Sequence, residues 1–204
     1  MLSPVKKSSI EKYSVWNNYE YATICLDEWQ HSEGEALRHG GEILILSSYG
    51  TFAHAWTACG KPFKQFLLGI GHDSFMRKCL GRDANVFDGE ATFKLAPKRV
   101  LEARRHGDLW KSDARHLYDQ LQSREGDLKA SADGFLLNIP LVANNAAQES
   151  LFDDAYDMIR EKRNPQAVGF WENLWPVFVG ELRKECGLAQ QHEAAVANEL
   201  PEPG

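Results

Sequence analysis

The feature of this sequence that most constrains its fold is a change in hydrophobic pattern near residue 60. Before that point, apolar residues alternate in short runs bounded by glycines, which is typical of strands. After Pro62, apolar residues recur at intervals of three and four, which is typical of helices. We therefore predict an α+β protein with a small three-stranded antiparallel sheet near the N-terminus and a predominantly helical remainder.

Three segments carry the strand pattern, namely residues 21–29, 42–48 and 51–56. The second has apolar residues at the adjacent positions 43–46, which predicts a central strand, paired on both sides and with both faces covered. Gly40 and Gly41 predict a bend before this strand, and Tyr49 with Gly50 predicts a turn after it.

The helical part contains one clear local unit, a helical hairpin over residues 96–122. Its first helix is predicted to begin near Pro97 and to end at Gly107, and Ser112 is predicted to cap the second. The polar segment 123–131 predicts a loop. Further on, Pro165 can begin the last helix and Pro176 should interrupt it.

Length and composition favour one domain. A chain of 204 residues can bury a core without disulfides or metals, so we predict a single α+β domain over residues 1–188 and a disordered tail over 189–204. No apolar run approaches the roughly 20 residues that span a bilayer, and no apolar segment follows the N-terminal lysines. We therefore predict a cytoplasmic protein without a membrane partner.

Cysteines and histidines raise the question of a metal or nucleophilic site. The cysteines are Cys25, Cys59, Cys79 and Cys186, and none has the paired spacing of a zinc site. His54 lies near Cys59 and His72 near Cys79 in the sequence, but no orienting carboxylate completes a recognisable motif. We predict no catalytic residue, no metal and no cofactor.

Basic residues cluster in the helical hairpin. The predicted binding residues, which combine cations with one aromatic ring, are Arg99, Arg104, Arg105, Trp110, Lys111 and Arg115. Such a set can contact phosphates and stack a base. The alternative interpretation is a solvated helix face on which Glu102 pairs with Arg105. The formal net charge of -6 disfavours general affinity for nucleic acids but permits a local basic patch.

Aromatic residues dominate the last helix, where Phe170, Trp171, Trp175 and Phe178 leave little polar surface. A helix that is apolar all round is either buried or part of an interface. Burial in the core is one interpretation, and dimerisation or partner docking is the other, because tryptophans anchor many interfaces.

Four blocks of the sequence resemble small proteins encoded by bacteriophages and prophages. They are GGEILILSSYGTFAHAWTACGKPFKQFL, FMRKCLG, ARRHGDLWKSDARHLYDQL and NPQAVGFWENLWPVFVGELR. The resemblance implies a phage accessory protein that acts in the cytoplasm of the bacterial host, where such proteins often bind host machinery, including defence complexes. It assigns no catalytic residue.

Three functional hypotheses follow. The leading one is protein–protein binding to a host protein or complex, such as inhibition of a CRISPR defence complex. The second is nucleic-acid binding through the basic hairpin. The third is a small enzyme with a site of His, Cys and carboxylate side chains. A cleft that gathers several titratable groups would favour the enzyme, and an aromatic or charged surface would favour binding.

Overall fold

The computed structural model of the protein describes residues 9–33, 36–143 and 146–187. In chain order its strands and helices are β1 Glu11–Asn17, β2 Glu20–Glu33, β3 Ala36–Ser47, β4 Gly50–Trp56, α1 Phe63–Gly69, α2 His72–Leu80, β5 Asn85–Phe87, α3 Gly89–His106, α4 Lys111–Ser123, α5 Glu125–Ala130, α6 Ala132–Asn138, α7 Ala146–Glu149, α8 Ala155–Met158, β6 Glu161–Arg163, α9 Pro165–Asn173 and α10 Trp175–Glu185. Short 3-10 helices occupy Gly81–Ala84, Ile139–Val142 and Ser150–Phe152. Within the described residues, no helix combines the length and apolar character needed to span a membrane.

The described residues form two compact units. The first, which we call the sheet unit, comprises the residues up to Ala84 together with those from Asn164 onward. The second, the helical unit, comprises Asn85–Arg163. The single domain over residues 1–188 stays a prediction, and the tail predicted over 189–204 lies outside the described residues.

The sheet unit is built on a four-stranded antiparallel sheet in the order β1-β2-β3-β4. The α+β class, with an N-terminal antiparallel sheet and a helical remainder, is confirmed, but the predicted number of three strands is wrong. The additional strand is β1, which pairs with β2 from Glu11 opposite Leu26 to Asn17 opposite Glu20. Asn18 adopts a φ of 55° in the turn between them, a conformation that asparagine tolerates better than most residues.

β3 is paired with β2 and β4, so its central position is confirmed. Ile43 and Ile45 are buried, whereas Leu44 is 44% and Leu46 is 60% exposed. The prediction that both faces are covered is therefore wrong. Side chains alternate between the two faces of a strand, and the described helices of this unit pack on the face that carries Ile43 and Ile45.

Gly40 and Gly41 lie inside β3 and produce no bend there, so that prediction is also wrong. A Cβ at Gly41 would lie 2.2 Å from the ring of Phe63, and a Cβ at Gly40 would lie 2.4 Å from Nε1 of Trp29. Two aromatic rings thus pack directly against the backbone of β3. Glycine is needed at these positions for close approach and not for a turn.

Helices α1, α2, α9 and α10 contribute the other half of the sheet unit's core. Pro165 is the first residue of α9, where the side chain of Asn164 accepts a hydrogen bond from the Gln166 N–H at 3.0 Å. α9 ends at Asn173, and α10 begins at Trp175 with Pro176 in its first turn. The predicted start at Pro165 and the interruption at Pro176 are confirmed.

A charged cluster links β1, α1 and α10. Lys64 Nζ lies 2.6 Å from Glu11 Oε2 and 2.7 Å from Glu185 Oε2, and its side chain is only 17% exposed. The Tyr13 hydroxyl donates a hydrogen bond to Glu185 at 3.0 Å. Hydrogen bonds from Lys64 and then from Tyr13 hold the pKa of Glu11 below its ordinary value. The native state therefore favours the ionised form of Glu11.

We expect the stabilisation by Glu11 to depend on pH. Because its native pKa is lowered, this contribution is fully present above the ordinary glutamate pKa of about 4.3 and is lost as pH falls through the native value. The difference in free energy of unfolding between the natural protein and the Glu11→Gln variant should therefore shrink as the pH of urea titrations is lowered from 6 to 3.5. Glu172→Gln, which alters an exposed carboxylate on α9, is the control for the loss of one negative charge. A difference for Glu11→Gln that stays constant with pH would contradict this assignment.

In the helical unit, α3 begins at Gly89 and not near Pro97. The Asp88 side chain accepts a hydrogen bond from the Ala91 N–H at 3.1 Å and so caps the helix, and Pro97 lies inside it. The end of α3 at Gly107, which has a φ of 90°, is confirmed. α4 begins at Lys111, so Ser112 is not its cap.

The predicted loop over residues 123–131 is wrong, because most of it forms α5. This short helix buries a single apolar side chain, Leu128, which is fully shielded from solvent. It also carries Lys129, whose Nζ lies 2.7 Å from Glu90 Oε1 on α3 and 5.3 Å from the ring centre of Phe93. Contacts with α3 therefore stabilise a helix whose local sequence is almost entirely polar.

Candidate functional site

A groove of about 470 Å³ lies between α3 and α4 in the helical unit. We call it the hairpin groove, and its lining residues are Val100, Leu101, Arg104, Lys111, Ala114, Arg115 and Tyr118. Val100 and Ala114 are buried and contribute to the core of the unit. Leu101 is 51% and Tyr118 is 40% exposed, so apolar surface is open to solvent here.

Helical spacing places these residues on facing sides of the two helices. Positions 100 and 104 on α3 are four apart, and positions 111, 114, 115 and 118 on α4 follow at intervals of three and four. Gly107 reverses the chain between the helices, and Leu109, which is 6% exposed, anchors the connection in the core. The groove is thus a direct product of the helical hairpin.

Three cations border the hairpin groove. Arg115 Nε lies 3.2 Å from Asp119 Oδ2, an exposed pair that contributes little to stability. Among the described residues, neither Arg104 nor Lys111 forms an ion pair. Residues 94–115 contain seven lysines and arginines and three acidic residues, so the surroundings are also positive. The groove combines exposed apolar surface with two cations, Arg104 and Lys111, that form no ion pair among the described residues.

The structure places three of the six predicted binding residues in the groove and three outside its lining. Arg104, Lys111 and Arg115 line the hairpin groove. Trp110, which is 79% exposed, directly precedes α4 and stands next to Lys111. Arg105 is exposed and lies outside the groove lining.

Arg99 has a different role from the other predicted residues. Its guanidinium pairs with the carboxylate of Asp154, with Nη2 2.7 Å from Oδ2, and donates to the Leu151 carbonyl at 3.0 Å. It thereby ties α3 to the segment that follows α7. Glu102 lies 3.8 Å from Lys98 Nζ, so the carboxylate that was expected to neutralise Arg105 is directed to a different cation.

Sequence reasoning does not identify Leu101 and Tyr118 as part of the site. Both residues continue the apolar pattern of helices whose neighbouring positions are buried, for example Val100 and Leu117. The sequence does indicate that Leu101 is exposed. Val100 and Leu101 are consecutive, and two successive residues on one helix cannot both point to the centre of the same core.

The open face of the sheet is a second exposed apolar surface that the sequence did not reveal. Trp16, Leu46, Leu44 and Tyr21 are 67%, 60%, 44% and 43% exposed. The rings of Trp16 and Tyr21 lie 5.6 Å apart on adjacent strands. The apolar run of β3 places an apolar set on each face of the sheet, and only the structure shows which set is exposed.

The histidine and cysteine pairs singled out in the sequence are all partly buried. Burial raises the pKa of the Cys79 thiol to about 12 and also raises that of Cys59, so both stay protonated near neutral pH. His72 Nδ1 lies 2.8 Å from Asp73 Oδ1, and its ring packs edge-on against Trp171. In the described ranges, no three His, Cys, Asp or Glu side chains are grouped so that they could hold a metal ion.

Comparison with known proteins places the chain in a family. The model of a phage protein family, Phage_phiTE_072, matches residues 3–184. The chain belongs to this phage family. The match includes every residue of the hairpin groove and confirms the resemblance to phage proteins seen in the sequence. No curated protein and no solved structure matches the chain.

Proposed function

We propose that this phage protein acts by binding a host protein, and that the hairpin groove receives an acidic, amphipathic segment of that partner. The observation that carries the proposal is the combination of Leu101 and Tyr118, exposed apolar side chains, with Arg104 and Lys111, cations without ion-pair partners among the described residues. Leu101 and Tyr118 can contact apolar side chains of a partner, and Arg104 and Lys111 can pair with its carboxylates.

Physical chemistry favours a protein segment as the occupant. An amphipathic helix binds a groove by inserting apolar side chains at intervals of three and four residues. Tyrosine and arginine are also among the residues that contribute most to binding energy at interfaces. Phosphate contacts would use Arg104 and Lys111, but they would leave the apolar surface of Leu101 exposed.

Membership in a phage family supports a partner in the bacterial host. We propose that the partner is a component of a host defence complex, such as a CRISPR complex, in the cytoplasm. A protein that occupies an acidic surface of such a complex can inhibit it without any chemistry of its own. Electrostatic attraction between the positive groove and the acidic segment would also accelerate association.

The first experiment is affinity capture from host lysate with and without nuclease, followed by reconstitution with the purified partner. We expect capture to survive nuclease treatment. A photoreactive residue in place of Tyr118 should then crosslink to a segment of the partner in which acidic residues flank apolar residues at helical spacing. Crosslinking to a basic or wholly polar segment would contradict the proposal, and capture abolished by nuclease would instead favour nucleic-acid binding beside Trp110.

Stability measurements separate binding from folding in this region. Replacing Arg104 or Arg105 with alanine should change the free energy of unfolding by less than about 0.5 kcal/mol, because both side chains are exposed. The measurement is urea denaturation followed by circular dichroism. A loss of more than 1 kcal/mol in either variant, about twice the effect typical of exposed sites, would show that these arginines are structural.

A further inference from the structure

A second pocket, of about 430 Å³, lies in the sheet unit at the corner between α1 and α2. Its lining residues are Trp56, Phe66, Gly69, Ile70, Gly71, Ser74, Arg77 and Lys78. Its aromatic lining consists of Trp56, which is only 9% exposed, and the partly buried Phe66, with ring centres 5.5 Å apart. We call it the corner pocket.

One face of α2 supplies the polar side of the corner pocket. Gly71, Ser74 and Arg77 are spaced by three residues and so lie along that face, and Lys78 stands beside them. Both cations are exposed and, within the described part of the chain, neither forms an ion pair. No aspartate or glutamate among the described residues lines the pocket. The charged side chains among the described lining residues are therefore all cationic.

The connection between α1 and α2 leaves the corner pocket accessible. Gly69 and Gly71 contribute no side chains, and a Cβ at Gly71 would meet only open space. Lys61 is close to this connection, since its Nζ would lie 3.3 Å from a Cβ at Gly69. A third cation thus stands near the pocket, outside its lining.

We propose that the corner pocket binds a nucleoside phosphate, with the phosphate at Arg77 and Lys78 and the base against Trp56 and Phe66. A planar guanidinium can bind two phosphate oxygens at once, and the Ser74 hydroxyl can donate to a third. The aromatic surface favours a flat ring, and the volume falls in the range of about 300–1,000 Å³ that is typical of small-molecule sites. An aliphatic carboxylate would use the cations but not the aromatic pair.

The corner pocket does not match the P-loop, a known phosphate-binding motif. The segment GIGHDS at its edge lacks the lysine and the final glycine of a P-loop. The cations come instead from the far end of α2, two turns from Gly71, and Trp56 comes from the end of β4. This site is separate from the hairpin groove, so each proposal can fail without the other.

Isothermal titration calorimetry with AMP tests the corner pocket. We expect saturable binding of AMP, and binding at least tenfold weaker for both adenosine and inorganic phosphate, because each probe engages only one half of the pocket. Arg77→Gln and Lys78→Gln should each weaken AMP binding at least tenfold. Arg82→Gln, which changes an exposed arginine just after α2 and outside the lining, should leave it unchanged.

A single-stranded octanucleotide distinguishes the two sources of a nucleoside phosphate. If it binds as tightly as AMP and loses affinity in Arg77→Gln, the site is supported and the ligand is a nucleic-acid end. Weaker binding than AMP supports the free mononucleotide. The proposal is overturned if AMP does not saturate the protein at millimolar concentration, if Arg77→Gln and Arg82→Gln behave alike, or if inorganic phosphate binds as tightly as AMP.

Discussion

Replacing Trp175 with alanine is expected to lower the free energy of unfolding by about 3–5 kcal/mol. Trp175 is 4% exposed and lies at the centre of an aromatic cluster in the sheet unit. Its ring centre is 4.6 Å from that of Phe75, 4.9 Å from that of Trp171 and 5.4 Å from that of Phe178. Removal of the indole leaves a cavity that these rings can fill only in part, and the loss is a large share of a typical domain's stability.

The matched control for this substitution is Trp110→Ala. Trp110 is 79% exposed, so its removal should change the free energy of unfolding by less than about 0.5 kcal/mol. Urea denaturation followed by circular dichroism measures both variants. If Trp175→Ala unfolds at the same urea concentration as the natural protein, the C-terminal aromatic residues are not core residues, and an interface role for α10 regains support.

Replacing Gly41 with valine should destabilise the protein by about 3 kcal/mol, at the upper end of the range for overpacked cores. A Cβ at this position would lie 2.2 Å from the Phe63 ring, which is itself 1% exposed and cannot move into solvent. Either β3 or α1 must shift to accept the side chain. The valine preference for strands does not offset this clash, because strand propensities span only about 1 kcal/mol.

Gly180→Ala in α10 provides the control for the glycine substitution. A Cβ there meets no atom within 4 Å, and alanine is preferred to glycine inside a helix by roughly 0.5–1 kcal/mol. We therefore expect a small gain in stability from Gly180→Ala and a large loss from Gly41→Val in the same denaturation assay. Equal effects of the two substitutions would contradict the close packing of Phe63 on β3.

The strands show what local pattern can and cannot predict. β4 follows from its alternation and β3 from its apolar run at positions 43–46. β1 shows neither pattern, because its adjacent apolar residues Val15 and Trp16 form too short a run. The exposure of Leu44 and Leu46 depends on which face of the sheet the distant helices cover. Tertiary packing determines which face is covered, and the sequence of a single strand does not predict it.

Two helix boundaries were predicted wrongly, one because a local cap was overlooked and one because contacts with another helix decide it. Pro97 predicts a helix start because proline favours the first turn, yet the cap at Asp88 and the buried Phe93 extend α3 two turns further back. α5 has one buried apolar residue, Leu128, and forms because that residue and Lys129 pack against α3.

The candidate sites also depend on contacts between residues that are distant in the sequence. The clustering of basic residues in the sequence located the cations of the hairpin. It could not show that Arg99 pairs with Asp154, because the two residues are 55 positions apart. The corner pocket brings Trp56 together with Arg77 from another element, and no short motif records that proximity. Local sequence therefore predicts the chemical character of a region better than it predicts which side chains act together.

The most direct test of protein binding through the hairpin groove is calorimetric titration of the purified, nuclease-treated partner. Arg104→Glu and Arg105→Glu introduce the same charge change at neighbouring exposed positions, but only Arg104 lines the groove. We predict that Arg104→Glu weakens partner binding at least tenfold and that Arg105→Glu changes it less than threefold. Equal affinities for the two variants would contradict the assignment of the hairpin groove as the binding site.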